Sequence, residues 1–92
     1  MNQILEDIEG TPRALIRIDA VEEGLCSGII LNHSFTPEQV AAFEEYENVV
    51  NSFALSLLDS AESRIESFGF RLHGEEGDII DLQIWEMRVI SF

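Results

Sequence analysis

The chain has 92 residues, with 18 acidic side chains set against five arginines and no lysine, for a net charge of −13. The hydrophobic fraction is 46%, which fits one globular domain over residues 1–92 and argues against disorder. No apolar run approaches the roughly 18–20 residues of a membrane span, and the charge repels phosphate backbones and anionic bilayers, so neither nucleic acid nor membrane is an expected partner.

In chain order, Met1 to Glu9 places Ile4, Leu5 and Ile8 at helical spacing, which predicts a turn or two of helix ended by Gly10 and Pro12. The same segment has no basic region and no long apolar stretch, so a signal peptide is not expected. Arg13 to Val21 predicts a strand, Glu22-Glu23-Gly24 a turn, and Leu25 to Asn32 a second strand in a hairpin with the first. Cys26 in that strand has no second cysteine to pair with, which points to a reducing, cytoplasmic setting.

Thr36-Pro37-Glu38-Gln39 predicts a helix start. Thr36 caps free amides, Pro37 has no amide to leave unpaired, and Gln39 completes a capping box. Val40, Phe43, Val50, Ala54, Leu57, Ala61, Ile65 and Phe68 then share one face of a helical wheel, and Gly69 is a natural stop. The spacing predicts one helix from Pro37 to Phe68, with a kink near Asp59-Ser60. At 1.5 Å per residue it would be about 45 Å long, more than the roughly 30 Å diameter of a compact domain of this size.

Phe70 to His73 predicts a third strand. After the Gly74-to-Asp78 turn, Ile79 to Phe92 contains no glycine or proline and predicts a fourth, long enough to match the helix and paired at its start with the third. Its apolar phase switches from Ile80, Leu82 and Ile84 to Trp85, Met87 and Val89, which suggests a bulge at Ile84-Trp85. The expected fold is α+β: a four-stranded antiparallel sheet, β-β-α-β-β, with one long amphipathic helix on one face. The shape is expected to be elongated. One helix covers only about two strands spaced about 4.8 Å apart, so a second copy of the chain is expected on the open sheet, with Trp85, Met87 and Val89 as self-association candidates.

Glu38, Glu45, Asp59 and Glu66 recur at seven-residue spacing, with Glu44 and Glu62 nearby and Arg64 the only base on the helix. They form either a solvated outer face or an acidic ridge for a basic partner; Glu38, Glu45, Asp59, Glu62 and Glu66 are the partner-binding candidates. Glu47 falls inside the apolar arc of the wheel and is the candidate for a buried ion pair with Arg17, Arg71 or Arg88. His33, His73 and Cys26 show no metal-ligand spacing, and Glu75, Glu76 and Asp78 lack the alternation of a calcium loop. No nucleophile elbow, phosphate loop or dinucleotide fingerprint occurs, so no cofactor and no catalytic residue is assigned. Size, charge and fold class together fit the profile of an immunity or inhibitor protein that neutralises a basic partner, such as a toxin nuclease. A homodimeric structural or regulatory scaffold is the alternative.

Overall fold

A computed structural model describes all residues, Met1–Phe92. Six strands form one antiparallel sheet: β1 (Asn2–Glu6), β2 (Pro12–Glu22), β3 (Leu25–His33), β4 (Arg71–Leu72), β5 (Gln83–Trp85) and β6 (Val89–Ser91). Their spatial order is β4-β1-β2-β3-β6-β5, and the sheet curls into a half-barrel. Two helices, α1 (Pro37–Asn51) and α2 (Leu58–Glu66), join β3 to β4. The molecule measures 35 × 29 × 23 Å, so the elongated shape expected from a single long helix is not found.

The β2–β3 hairpin is the backbone of the sheet. Its alternation sends Ala14 and Ile16 inward, with Ile18 beside them at the edge of the core, and Leu15 and Arg17 outward, as a period of two requires. Two register shifts, at Leu15/Ile16 and Ile18/Ala20, bend the pair, and bulges of this kind produce local curl. Gly28 sits opposite Ile18, between β2 and β6. A Cβ there would lie 1.9 Å from the Arg17 carbonyl oxygen, so only glycine permits this approach.

The capping box at the start of α1 forms as its residues predict. Thr36 Oγ1 accepts from the Gln39 amide at 3.1 Å, and Gln39 Oε1 accepts from the Thr36 amide at 3.0 Å. Helix α1 buries Gln39, Ala42, Phe43, Tyr46 and Val49, and α2 buries Ala61 and Ile65. These side chains meet Leu5, Ile16, Ile84 and Ile90 from the sheet, and Phe35, Phe43 and Phe70 stack edge-on or tilted in a cluster with centroids 5.2–5.7 Å apart. Burying a side chain such as Phe43 contributes about 1.5–3 kcal/mol.

The four-stranded sheet with one long helix is therefore corrected to six strands with two short helices, and three local causes account for the difference. First, Asn2–Glu6 is strand β1, not helix. It pairs with β2 on one side and β4 on the other, with Leu5 fully buried. The helical spacing of Ile4, Leu5 and Ile8 is incidental, because two neighbouring strands supply the hydrogen bonds.

Second, the helix stops at Asn51, well before the kink expected at Asp59-Ser60. The Phe53 amide donates to Val50 O at 3.2 Å and the Ala54 amide to Val49 O at 3.1 Å, the paired bonds of a Schellman ending. Ser52 Oγ donates to Asn48 O at 2.7 Å, the same carbonyl that accepts the Ser52 amide at 3.0 Å. Phe53 occupies the left-handed position, φ +56, where glycine is usual, so the stop carries no glycine signal. A 3₁₀ turn, Leu55–Leu57, then leads into α2. The break resets the wheel: Leu57, assigned to the apolar face, is exposed.

Third, the C-terminal segment is a hairpin and not one long strand. The Arg88 amide donates to Trp85 O at 3.0 Å, and Glu86 and Met87 both have φ +53. Two consecutive positive φ values match the twist of the flanking strands, but Glu-Met is not a usual sequence for such a turn. The third predicted strand shortens to β4, which pairs with β1 and not with the C-terminal strands; Phe70, just before it, accepts from the Ile79 amide at 2.8 Å.

Candidate protein-binding surface

The helical layer carries most of the acidic candidates. Glu38 lies in the first turn of α1 and Asp59 in the first turn of α2. Because the helix is broken, the seven-residue repeat does not form one ridge. Glu38 and Glu45 stand on α1, and Asp59, Glu62 and Glu66 on α2. Arg64, the only base of this layer, bridges the helices to Glu45, with both side chains nearly half exposed. An ion pair so exposed contributes at most about 1 kcal/mol, and it leaves the other acids of the layer without an internal counter-charge.

Glu62 and Glu66 share a crevice with Asp81, between the helices and residues 79–83. Its apolar lining comes from Ile65, Phe70 and Leu82, and Tyr46 stands in its wall. Tyr46 is 7% exposed, its ring 5.8 Å from Trp85. Burial, joined by the charges of Glu62 and Asp81, pushes its phenol above the ordinary value. The Tyr46 hydroxyl has no hydrogen-bond partner in the protein, and none of the three carboxylates belongs to an ion pair. Sequence reading missed Tyr46 and Asp81. Ending the first helix at Asn51 would have placed Tyr46 with Ala42, Phe43 and Val49 on its inner face; nothing local brings Asp81 beside α2.

The other candidates separate. Trp85 and Met87 are half-buried against the core, whereas Val89 is exposed on the outer face of the sheet, opposite Ile29. Trp85 and Val89 are nevertheless direct cross-strand partners in the β5–β6 hairpin, with Met87 in the turn between them. Glu47 meets no arginine; its Oε2 accepts from the Glu86 amide at 3.1 Å and so holds the β5–β6 turn against α1. The expected buried ion pair is corrected to this side-chain-to-backbone bond. His73 lies 3.1 Å from Glu6, His33 stacks on Phe35, and no three of the histidine, cysteine and acidic side chains converge as metal ligands.

The true buried ion pair is elsewhere: Asp7, 5% exposed, with Arg13. No protein-family model, curated protein or solved structure matches the chain. No helix is long and apolar enough to cross a membrane. The outer face of the sheet, opposite the helices, presents Ile4, Leu31 and Val89, each about two-fifths exposed.

Proposed function

We propose that the chain is a binding protein for a basic protein partner, with the helical layer as its contact surface. Neutralisation of a toxin such as a nuclease, inside the cytoplasm, is the concrete form. The observation that supports it is the charge of that layer: seven acids between Pro37 and Glu66 against Arg64 alone, itself bound to Glu45. Such a surface raises the encounter rate with a cationic protein and disfavours anionic ones.

The experiment is association of the purified chain with basic nuclease domains, beginning with products of genes that flank its own. A one-to-one complex is expected, with loss of nuclease activity. The association rate should fall at least about tenfold between low and high ionic strength. A rate indifferent to salt, or one unchanged when Glu38, Glu45 and Asp59 are all replaced by glutamine, overturns the reading.

The exposed apolar residues Ile4, Leu31 and Val89 favour a second reading, a homodimeric scaffold joined through the outer sheet face. Light scattering separates the two. A monomer mass at every concentration removes the dimer, and a salt-insensitive dimer lost in Val89→Glu supports it.

A further inference from the structure

We infer that the crevice between α1, α2 and residues 79–83 is a socket for one arginine side chain of the protein partner. The inference rests on the proposed binding of a basic protein and names the anchor.

Three observations carry it. Glu62, Glu66 and Asp81 converge on the crevice, and no arginine or histidine lines it. Four of the five arginines already pair with other acids, so the chain holds almost no cation of its own to offer. Tyr46 is more than nine-tenths buried, yet it lines the opening with a hydroxyl that no protein group meets. The little of Tyr46 that stays accessible includes this oxygen, so the hydroxyl opens into the crevice, where a donor from outside the chain can meet it.

Size and lining narrow the chemistry. The room for the centres of water-sized groups is about 30 Å³, enough for roughly two waters, since one needs about 10–15 Å³ on that measure. It is far below the roughly 300 Å³ of a typical small-molecule cleft. A single side-chain head fits where a larger ligand does not. Ile65, Phe70 and Leu82 present hydrocarbon to a methylene stem, and long basic side chains combine such a stem with a charged end. A planar guanidinium can donate to two carboxylates and to the Tyr46 oxygen at once, because its five N–H groups form a fixed fork. An ammonium offers a point charge and no such fork.

The test uses the whole isotopically labelled chain and three probes: butylguanidine, an acetylated and amidated Gly-Arg-Gly peptide, and the same peptide with norleucine for arginine. The arginine peptide is expected to shift the backbone amides of Glu62 to Glu66 and Ile79 to Gln83 saturably, in the millimolar range typical of a single side chain. The norleucine peptide should leave them unmoved. Tyr46→Phe keeps the ring and removes only an unpartnered hydroxyl, so it should fold normally and weaken the arginine peptide about tenfold, as loss of one hydrogen bond to a charged group does. Asp81→Asn, an exposed substitution, should weaken it by a similar factor.

Equal shifts from the norleucine peptide, or unchanged affinity in both variants, overturn the socket. Binding of butylguanidine that is lost when the guanidinium sits in a peptide makes a free cation the ligand and overturns the protein source. A basic protein that binds Tyr46→Phe and Asp81→Asn as tightly as the unaltered chain overturns the socket but leaves the proposed function standing. Arginine-peptide binding at these amides, with no basic protein bound, supports the socket and removes that function.

Discussion

Arg13 Nε lies 2.7 Å from Asp7 Oδ2, and this contact is the centre of a four-donor cage around one buried carboxylate. The amides of Glu9 and Thr11 donate to Oδ1 at 3.1 and 3.3 Å, and Gln39 Nε2 donates to Oδ2 at 3.3 Å. Gln39 is also the third residue of the α1 capping box. The β1–β2 turn and the start of the helix are therefore fastened at one point. Burial raises the Asp7 pKa, but the bonds from Arg13, Thr11, Gln39 and Glu9 together outweigh it and hold the carboxyl below its ordinary value.

Asp7→Asn turns an acceptor oxygen into a donor amide facing Arg13 and Gln39. It takes the counter-charge from Arg13, whose side chain is 18% exposed, and should destabilise the fold by about 2 kcal/mol at neutral pH. Because the folded pKa is depressed, this stabilisation is fully present above the unfolded value near pH ~4 and disappears as pH falls through the folded one. Urea denaturation of both proteins across pH 2–7 (on the order of one unit per step) checks it. A difference that stays constant down to the lowest pH shows that the charge of Asp7 is not its source.

Gly28→Ala tests the closest backbone approach in the sheet. The added methyl would sit 1.9 Å from the Arg17 oxygen and about 3 Å from Ile18 Cα, both backbone atoms that cannot swing away. Strands β2, β3 and β6 meet at this residue, so relief requires the central hairpin to separate. A loss above about 3 kcal/mol is expected, placing the change among the rare severe substitutions. Circular dichroism at rising temperature reads it directly, and a melting temperature within a few degrees of the unaltered chain contradicts the close approach.

Where the local chemistry was conventional, the sequence was readable. Thr36, Pro37 and Gln39 marked the start of α1 to the residue, and the β2–β3 hairpin followed from alternation around Glu22-Glu23-Gly24. Where a bulky residue occupies a position that glycine usually marks, reading failed. Phe53 ends α1 with a positive φ, and Glu86-Met87 reverses the chain the same way; neither looks like a stop. The socket was half legible. Glu62 and Glu66 stood out by charge, but Tyr46 and Asp81 join them only after the helix breaks and the C-terminal segment folds over α2. Asp7 was missed because its partners lie six and 32 residues away.

Salt should stabilise this protein. Arginines engage only four of the 18 acids, and a surface so one-sided repels itself in the folded state more than in the expanded one. Raising sodium chloride from about 10 to about 200 mM shortens the screening length from roughly 30 to below 10 Å. The melting temperature is expected to rise by several degrees, and Glu62→Gln, which removes one of three facing carboxylates in the socket, should reduce that rise. A melting temperature that falls with salt would mean that the exposed ion pairs of Arg17 and Arg64 outweigh the repulsion.

Phe53 combines two unfavourable properties. Its backbone lies in the left-handed region, and its side chain is 82% exposed, next to the exposed Leu55 and Leu57. The conformation costs a side chain about 1–2 kcal/mol, and glycine avoids it while losing up to about 1 kcal/mol in unfolded-state entropy. Phe53→Gly is therefore expected to stabilise the chain by up to about 1 kcal/mol, read as a higher urea midpoint with an unchanged slope. Phe53→Val should do the reverse, since a β-branched side chain tolerates positive φ least. A residue that weakens its own fold while exposing a ring beside the acidic layer belongs to the class of strained positions associated with function. Binding of the proposed basic partner to Phe53→Gly separates the roles: weaker binding by the more stable variant assigns the ring to the interface, and equal binding confines Phe53 to ending α1.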